Sequence, residues 1–554
     1  MTSPSPPLSV CMIVKNEASN LCGMLESIRT FADEIVVVDT GSTDNTADLA
    51  RRYTRCIYTY PWHDDFAAAR NFSLDKARGS YCLWLDADDR IDAVNGAKIN
   101  ALKKHFDGLK AFAFELQDFR NGSLFRSLLQ VRCIPNRKDV RFRGRVHESI
   151  DWDAIREAIK VVHVDIAIRH HGYDDPALVA KKAARNLRLL HMEQQAGRDD
   201  ATLHYYLALS YDHLGISRAA AEHMARAINR MERERFSAGA PRSEKLSDFW
   251  VDALLYLAKS MITEGKKREA LRCVVKLRCA ELQDSPSLFR LADLYQDLGE
   301  HREALRLLAR VDPQKRASSF FPTPPLTTTH VVSRTAFSLL VLGLREEALH
   351  CIESLPDQTL QKDVWQAVGL LAGDRGHDAL VHEAFGRALR FGELTAKAWD
   401  QWGVAWKRAG KRHKAEVCWR KALLLDSDLE SARIHLANML WDVGRTAEAY
   451  EMFKSLVDNG CQKVPVLLAF AILAAERGHE SALGRVREAL EVWLQNNTAS
   501  PHHDLTLREG IFGKLAHVLE REQKIHLAKI AQRLALRETS KPISRQTAAP
   551  SRAS

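Results

Sequence analysis

Residues 81–89 read Y-C-L-W-L-D-A-D-D. An apolar strand of Leu83, Trp84 and Leu85 ends abruptly in three carboxylates, Asp86, Asp88 and Asp89. Carboxylates at the carboxyl end of a buried strand lie where α/β sheets bind ligands, in the crevice beyond the strand tips. Asp86 and Asp88 are two apart and point the same way in an extended chain. Two oxygen ligands converging on one spot suit Mg²⁺ or Mn²⁺ held jointly with substrate phosphates. An acidic turn or helix N-terminus would read the same in isolation, so the surrounding chain has to decide.

Upstream, strands alternate with helices. Strands are expected at Leu8 to Val14, Glu34 to Val38, Ile57 to Tyr58 and Tyr81 to Leu85. Helices are expected at Ala18 to Thr30, Asn45 to Tyr53 and Ala67 to Ala77. All-apolar strands in this alternation imply a mostly parallel sheet with helices on both faces. Weaker strand patterns return near Ala111 to Leu116, Phe125 to Cys133 and Val161 to Arg169, which places the α/β domain at 8–173.

From about Tyr173 the strand patterns vanish. Trp399, Trp402, Gly403, Trp406, Gly410, Ala415, Trp419 and Ala422 fit the tetratricopeptide pattern, which repeats about every 34 residues. The pattern recurs forwards through Gly444 and Gly478, and backwards through Gly376, Gly343, Gly299, Gly265 and Gly215; a degenerate copy surrounds Ala516, Leu519 and Ala528. Small residues sit where paired helices approach closely, and each glycine marks the turn within a pair. The expected organisation is a helical linker at 174–200, an all-α solenoid at 201–538 and a disordered tail at 539–554. The F-F-P-T-P-P segment from Phe320 to Pro325 reads as a loop between repeats.

A chain of 554 residues predicts more than one domain, and 46% hydrophobic with 27% charged residues is the composition of a soluble globular protein. The net charge of +9 is modest for this length and gives no argument for nucleic acid. Ten cysteines without a C-x-x-C pair argue against a zinc site and fit a reducing cytosol. The amino terminus lacks the basic region of a secretory signal. The longest apolar run, Val464 to Ala475, contains Pro465 and falls short of the roughly 20 residues that span a bilayer. A cytoplasmic protein without a transmembrane segment is expected.

Three further segments carry a resemblance: V-C-M-I-V-K-N-E-A at 10–18, E-I-V-V-V-D-T-G-S-T-D-N-T at 34–46, and D-F-A-A-A-R-N-F-S-L-D-K-A-R-G-S-Y at 65–81. With the D-x-D strand they resemble the inverting family 2 glycosyltransferases of the GT-A nucleotide-sugar-binding fold. The whole chain looks like a bacterial family 2 transferase with a tetratricopeptide tail. The resemblance implies Asp88 on the metal and Asp86 on the ribose or a metal-bound water. It also implies a third metal ligand from a histidine near the domain's end, for which His171 is the choice, with His170 alternating outward. Asp39 ends the second strand, where the family binds the base; a turn-forming aspartate in D-T-G-S is compatible with that. Glu17 faces the nucleoside or caps a helix. Arg70 pairs with a diphosphate oxygen through its planar fork, or is a solvent-exposed helix arginine.

The segment F-R-G-R-V-H-E-S-I, 142–150, supplies Glu148 as candidate base for an acceptor proton, with Asp89 the alternative. His147 orients the acceptor, binds metal or simply packs. Arg141, Arg143 and Arg145 form a basic row near the diphosphate, or a solvated face. The expected function is Mg²⁺- or Mn²⁺-dependent transfer of a sugar from a nucleotide-sugar donor, UDP-linked, to a protein, peptide or glycan acceptor. The solenoid would engage a protein or peptide partner. The competing class is a non-catalytic scaffold with a degenerate transferase domain.

Overall fold

The computed structural model describes residues 7–120, 123–155, 157–171, 176–237, 248–280, 282–313, 325–461, 463–477, 529 and 531–532. Gly172 and Tyr173, most of the Phe320 to Pro325 segment, Gly478, the copy around Ala516 and the tail 539–554 lie outside them. The chain divides into two compact units, Met1–Ala348 and Leu349–Ser554, so the first includes helical repeats as well as the α/β domain.

The α/β domain begins β1 (Leu8–Val14), α1 (Ala18–Ile28), β2 (Glu34–Asp39), α2 (Thr46–Ala50), β3 (Cys56–Thr59), α3 (Phe66–Lys76) and β4 (Tyr81–Trp84). It continues with β5 (Asp89–Arg90), α4 (Ala93–Leu102), β6 (Lys110–Arg120), β7 (Ser123–Pro135), β8 (Phe142–Arg143), β9 (Ser149–Ile150), α5 (Trp152–Ile155) and β10 (Lys160–His170). Helix α2 is shorter than expected. Asp65 starts α3 by accepting from the Ala68 amide at 2.8 Å, and Asp92 does the same for α4 at Asn95.

The main sheet runs β3-β2-β1-β4-β7-β6-β10-β5. Its first four strands are parallel. The other half is mixed: β7 runs antiparallel to both β4 and β6, β10 is parallel to β6, and β5 closes the edge antiparallel to β10. The sheet is thus less uniformly parallel than the apolar runs imply, because β6 and β7 pair as one long hairpin. Alternation along the strands builds a core on each face. Val10, Met12, Val14 and Val37 pack with Leu21, Met24, Leu25 and Ile28 of α1. Cys11, Val36, Val38, Cys82 and Trp84 pack on the other face with Ala67 and Leu74 of α3.

Beyond the sheet come α6 (Pro176–Gln195), α7 (Ala201–His213), α8 (Ser217–Ser237), α9 (Asp248–Thr263), α10 (Lys267–Arg278), α11 (Ser285–Leu298), α12 (His301–Leu308), α13 (Thr328–Val341) and α14 (Arg345–Glu353). They are followed by α15 (Gln358–Asp374), α16 (Asp378–Ala388), α17 (Ala396–Arg408), α18 (Arg412–Leu425), α19 (Glu430–Asp442), α20 (Thr446–Asp458) and α21 (Val464–Glu476). Helices pair from α7–α8 to α19–α20, and a positive-φ glycine stands at each intervening turn. Gly299 shows why: at φ 88 it ends α11 in the left-handed conformation that glycine adopts without a Cβ penalty. The small residues are required by close approach. A Cβ on Gly403 would lie 2.5 Å from Trp419 Nε1, and one on Gly369 2.5 Å from the Phe385 ring. Among the described residues no helix is long and apolar enough to cross a membrane.

Candidate active site

A cavity of about 890 Å³ opens beyond the carboxyl ends of the parallel strands. The sheet side of its wall includes Val14, Thr40, Trp84, Asp86, Asp88 and Glu148; α6 and α7 supply the rest. The acidic turn after β4 is tied to itself, since Asp89 Oδ2 accepts the Asp86 amide at 2.9 Å. The chain then reverses into β5, whose Asp89 lies opposite His170 of β10. This pairing brings residues far apart in sequence into one row.

Charged groups alternate in sign along that row. Glu148 Oε1 accepts from Arg70 Nε at 2.5 Å, and Arg70 Nη2 donates to Asp86 at 2.8 Å. Arg132 Nη1 lies 3.6 Å from Asp86 and donates to Asp89 at 3.0 Å. His170 Nδ1 lies 3.0 Å from Asp89 and 3.5 Å from Asp88. The guanidinium carbons of Arg70 and Arg132 lie 4.4 and 3.9 Å from the centre of the Trp84 ring. Burial disfavours the charged forms, but at Asp86 and His170 the opposite charges outweigh it. Arg70 and Arg132 hold Asp86 well below the usual carboxylate range. Burial opposes the His170 imidazolium too, yet the hydrogen bond to Asp89 and the charges of Asp88, Asp89 and Asp86 raise its pKa to about 9. Asp88 is raised, first by burial and then by Asp86 and Asp89, while His170 and Lys182 pull it down.

Several expected placements change. Asp89 is wholly buried and held by Arg132, His170 and the Asp86 amide, so it has no face toward an acceptor. Arg70 is 6% exposed and committed to two carboxylates, which excludes the solvent-exposed reading and leaves its fork occupied. His170, not His171, reaches the acidic cluster: Asp88, Asp89 and His170 each offer a ligand atom within 4.8 Å of the others. The exposed His171 stacks toward Phe119, and its backbone amide donates to the Asp88 carbonyl. The signal for His170 was in the strand: it shares parity with the buried Ile166 and Ile168. The basic row does not form. Arg141 pairs with Asp75, Arg143 with Asp151, and Arg145 donates to the carbonyls of His63 and Asp64.

Asp39 accepts the Gly41 and Ser42 amides through Oδ1 at 3.0 and 2.8 Å, and it is the neighbouring Thr40 that lines the cavity. Glu17 lines it too. Its carboxylate makes no capping bond and accepts from Asn20 Nδ2 at 3.0 Å. Burial, with Asp88 and Asp86 nearby, raises its pKa although the Asn20 bond lowers it.

The segment carrying Glu148 is clamped from the helical side. Val146 is buried in a cluster with Leu189, Leu190, Leu203 and Leu207 of α6 and α7. The His147 ring stacks on Tyr206 of α7 at 4.0 Å, with the two planes 1° apart. His147 adopts φ 52, an uncommon conformation for a residue with a Cβ, held here by that stack. Desolvation, first, and then the neighbouring Arg185 and His213 lower its imidazole pKa to about 4. Arg188 binds Asp64 at 2.6 and 2.8 Å, and Glu193 accepts the Arg145 amide. Arg132 and Tyr206 are not among the residues that the sequence motifs single out. Arg132 has a signal, a charge between the apolar Val131 and Cys133-Ile134 near the end of β7, whereas Tyr206 reads as an ordinary repeat aromatic.

Residues 9–94 match the family model described as Glycosyl transferase family 2. That match runs from β1 to the start of α4 and takes in the parallel strands and the acidic turn. The chain is 32% identical over 189 residues to a TPR repeat-containing protein of Synechococcus elongatus, covering 33% of this chain and 46% of that one. It is 25% identical over 199 residues to the SPbeta prophage-derived glycosyltransferase SunS of Bacillus subtilis, covering 34% and 45%. It is 39% identical over 95 residues to the lipopolysaccharide core biosynthesis glycosyltransferase LpsC of Rhizobium meliloti, covering 16% and 34%. The chain spans about half or less of the length of these curated relatives. The family 2 region ends before β6, so Arg132, Glu148 and His170 lie outside the matched residues.

Proposed function

We propose that this protein is a metal-dependent inverting glycosyltransferase, taking a sugar from a nucleotide-diphosphate donor, UDP-linked, to a hydroxyl or thiol of a peptide or glycan. The observation that carries the reading is the row of alternating charges. It joins a cavity-facing carboxylate, Glu148, to a second carboxylate, Asp88, through groups that cannot move independently. The names of the relatives, two glycosyltransferases and a TPR repeat-containing protein, agree with a transferase joined to a helical repeat region.

In this reading Arg70 fixes Oε1 of Glu148, and Oε2 accepts the acceptor's proton as its oxygen or sulfur attacks the anomeric carbon. Attack opposite the leaving diphosphate inverts the configuration. Asp39 Oδ2, beside Thr40, would take a uracil N–H, and Asp86 would stay a structural anchor that also faces the ribose side. Asp88 and His170 would hold the metal: a carboxylate oxygen and an imidazole nitrogen on one cavity wall are a donor set that Mn²⁺ or Mg²⁺ accepts, the latter with more water. Bound there, the cation would neutralise charge growing on the departing diphosphate. His170 would lose its proton to make room, so affinity rises with pH.

A thermal-shift panel of nucleotide sugars with Mn²⁺ tests the donor assignment. One donor is expected to raise Tm, with about 2.7 kcal/mol of stabilisation at a concentration of 100 Kd. No shift with any nucleotide sugar would contradict the reading.

A further inference from the structure

The cavity's two buried arginines are occupied by carboxylates, Arg70 by Glu148 and Asp86, and Arg132 by Asp89. A diphosphate brings further negative charge to a wall already carrying Glu17, Asp86, Asp88 and Glu148. Besides those arginines, the lysines and arginines lining the cavity are Lys15, at the end of β1, and Lys181, Lys182 and Arg185 of α6. Helix α6 is fixed against the α/β domain by the Arg188–Asp64 pair, the Glu193 contact to Arg145 and the apolar cluster around Val146. Its cations are therefore held at a set distance from the sheet.

Residues three apart on a helix share a face, so Lys182 and Arg185 both look along the cavity wall. They serve different ends of it. Arg185 lies over Phe66 at 4.9 Å, and its charge is felt at His147, next to Glu148. The charge of Lys182 is felt at Glu17 and Asp88, on the side where a donor phosphate would sit. Lys181 is more exposed than Lys182.

We propose that Lys182, on the first helix after the sheet, binds the diphosphate of the nucleotide donor and so makes the helical region part of the donor site. This rests on the reading of the cavity as a nucleotide-sugar site. Lysine suits the task as a point charge on a long stem, able to follow the phosphate as the sugar leaves. The helical segment then has a role in chemistry that its repeat pattern alone would not assign.

Calorimetric titration of the full-length protein with UDP in the presence of Mn²⁺ tests this, with uridine as the phosphate-free control. Lys182→Met is expected to weaken UDP binding about tenfold, to flatten its salt dependence and to leave uridine binding unchanged. Lys182→Arg is expected to restore most of the UDP affinity. Lys182 is half-buried on a helix surface, and an unchanged Tm of both variants confirms that folding is intact. Wild type that binds UDP together with a Lys182→Met variant within twofold of it overturns the Lys182 assignment and leaves the donor reading standing. Wild type that binds no UDP overturns both.

Discussion

Glu148→Gln is expected to lower kcat by about 10²–10⁴-fold, the range over which a positioned general base contributes. Glutamine keeps an oxygen for the Arg70 Nε–H, so the orienting contact at 2.5 Å has a neutral counterpart and the loop should stay in place. What disappears is the proton acceptor. UDP affinity should therefore remain within about threefold of wild type, and the loss should fall on kcat rather than KM. Retained turnover would remove Glu148 as the base. It would not promote Asp89, which is fully buried and bonded to Arg132 and His170.

Arg132→Met has the largest expected effect on stability. Arg132 and Asp89 are 2% and 0% exposed at 3.0 Å, and removing the cation leaves a carboxylate out of contact with water. Breaking one side of such a pair costs about 3–5 kcal/mol. His170 remains beside Asp89 and moderates the loss without replacing the guanidinium. Denaturant unfolding reads the effect as a lowered midpoint. The double variant Arg132→Met with Asp89→Leu should recover part of it, since replacing both members by apolar groups is far less costly than removing one. A loss below about 1 kcal/mol in the single variant would show that the pair does not hold the acidic turn.

Much of this architecture could be read in the chain. All-apolar runs placed β1, β2 and β4 because strands buried on both faces have no polar side to vary. The turn glycines placed the helix pairs because a left-handed residue ends each first helix. The carboxylates after β4 were visible for the same reason: charge at the end of an apolar strand has few structural uses. Their individual roles were not visible. Those depend on partners 78 residues away for Arg70 with Glu148, and 43 for Asp89 with Arg132, which no local pattern encodes. Arg70 and Asp89 look in the sequence like ligand-facing groups, yet both are spent on the protein's own charges. His171 lies just past the end of β10, and it is His170 that shares parity with the buried Ile166 and Ile168. The contribution of α6 was hidden as well, because a basic amphipathic helix after a domain reads as a linker until its docking is seen.

Hydrolysis of UDP-sugars by the purified full-length protein tests whether Asp88 anchors a metal-dependent donor site. Turnover is expected to require Mn²⁺ or Mg²⁺, to stop on chelation and to be lost in Asp88→Ala. Turnover left unchanged by Asp88→Ala would contradict that role.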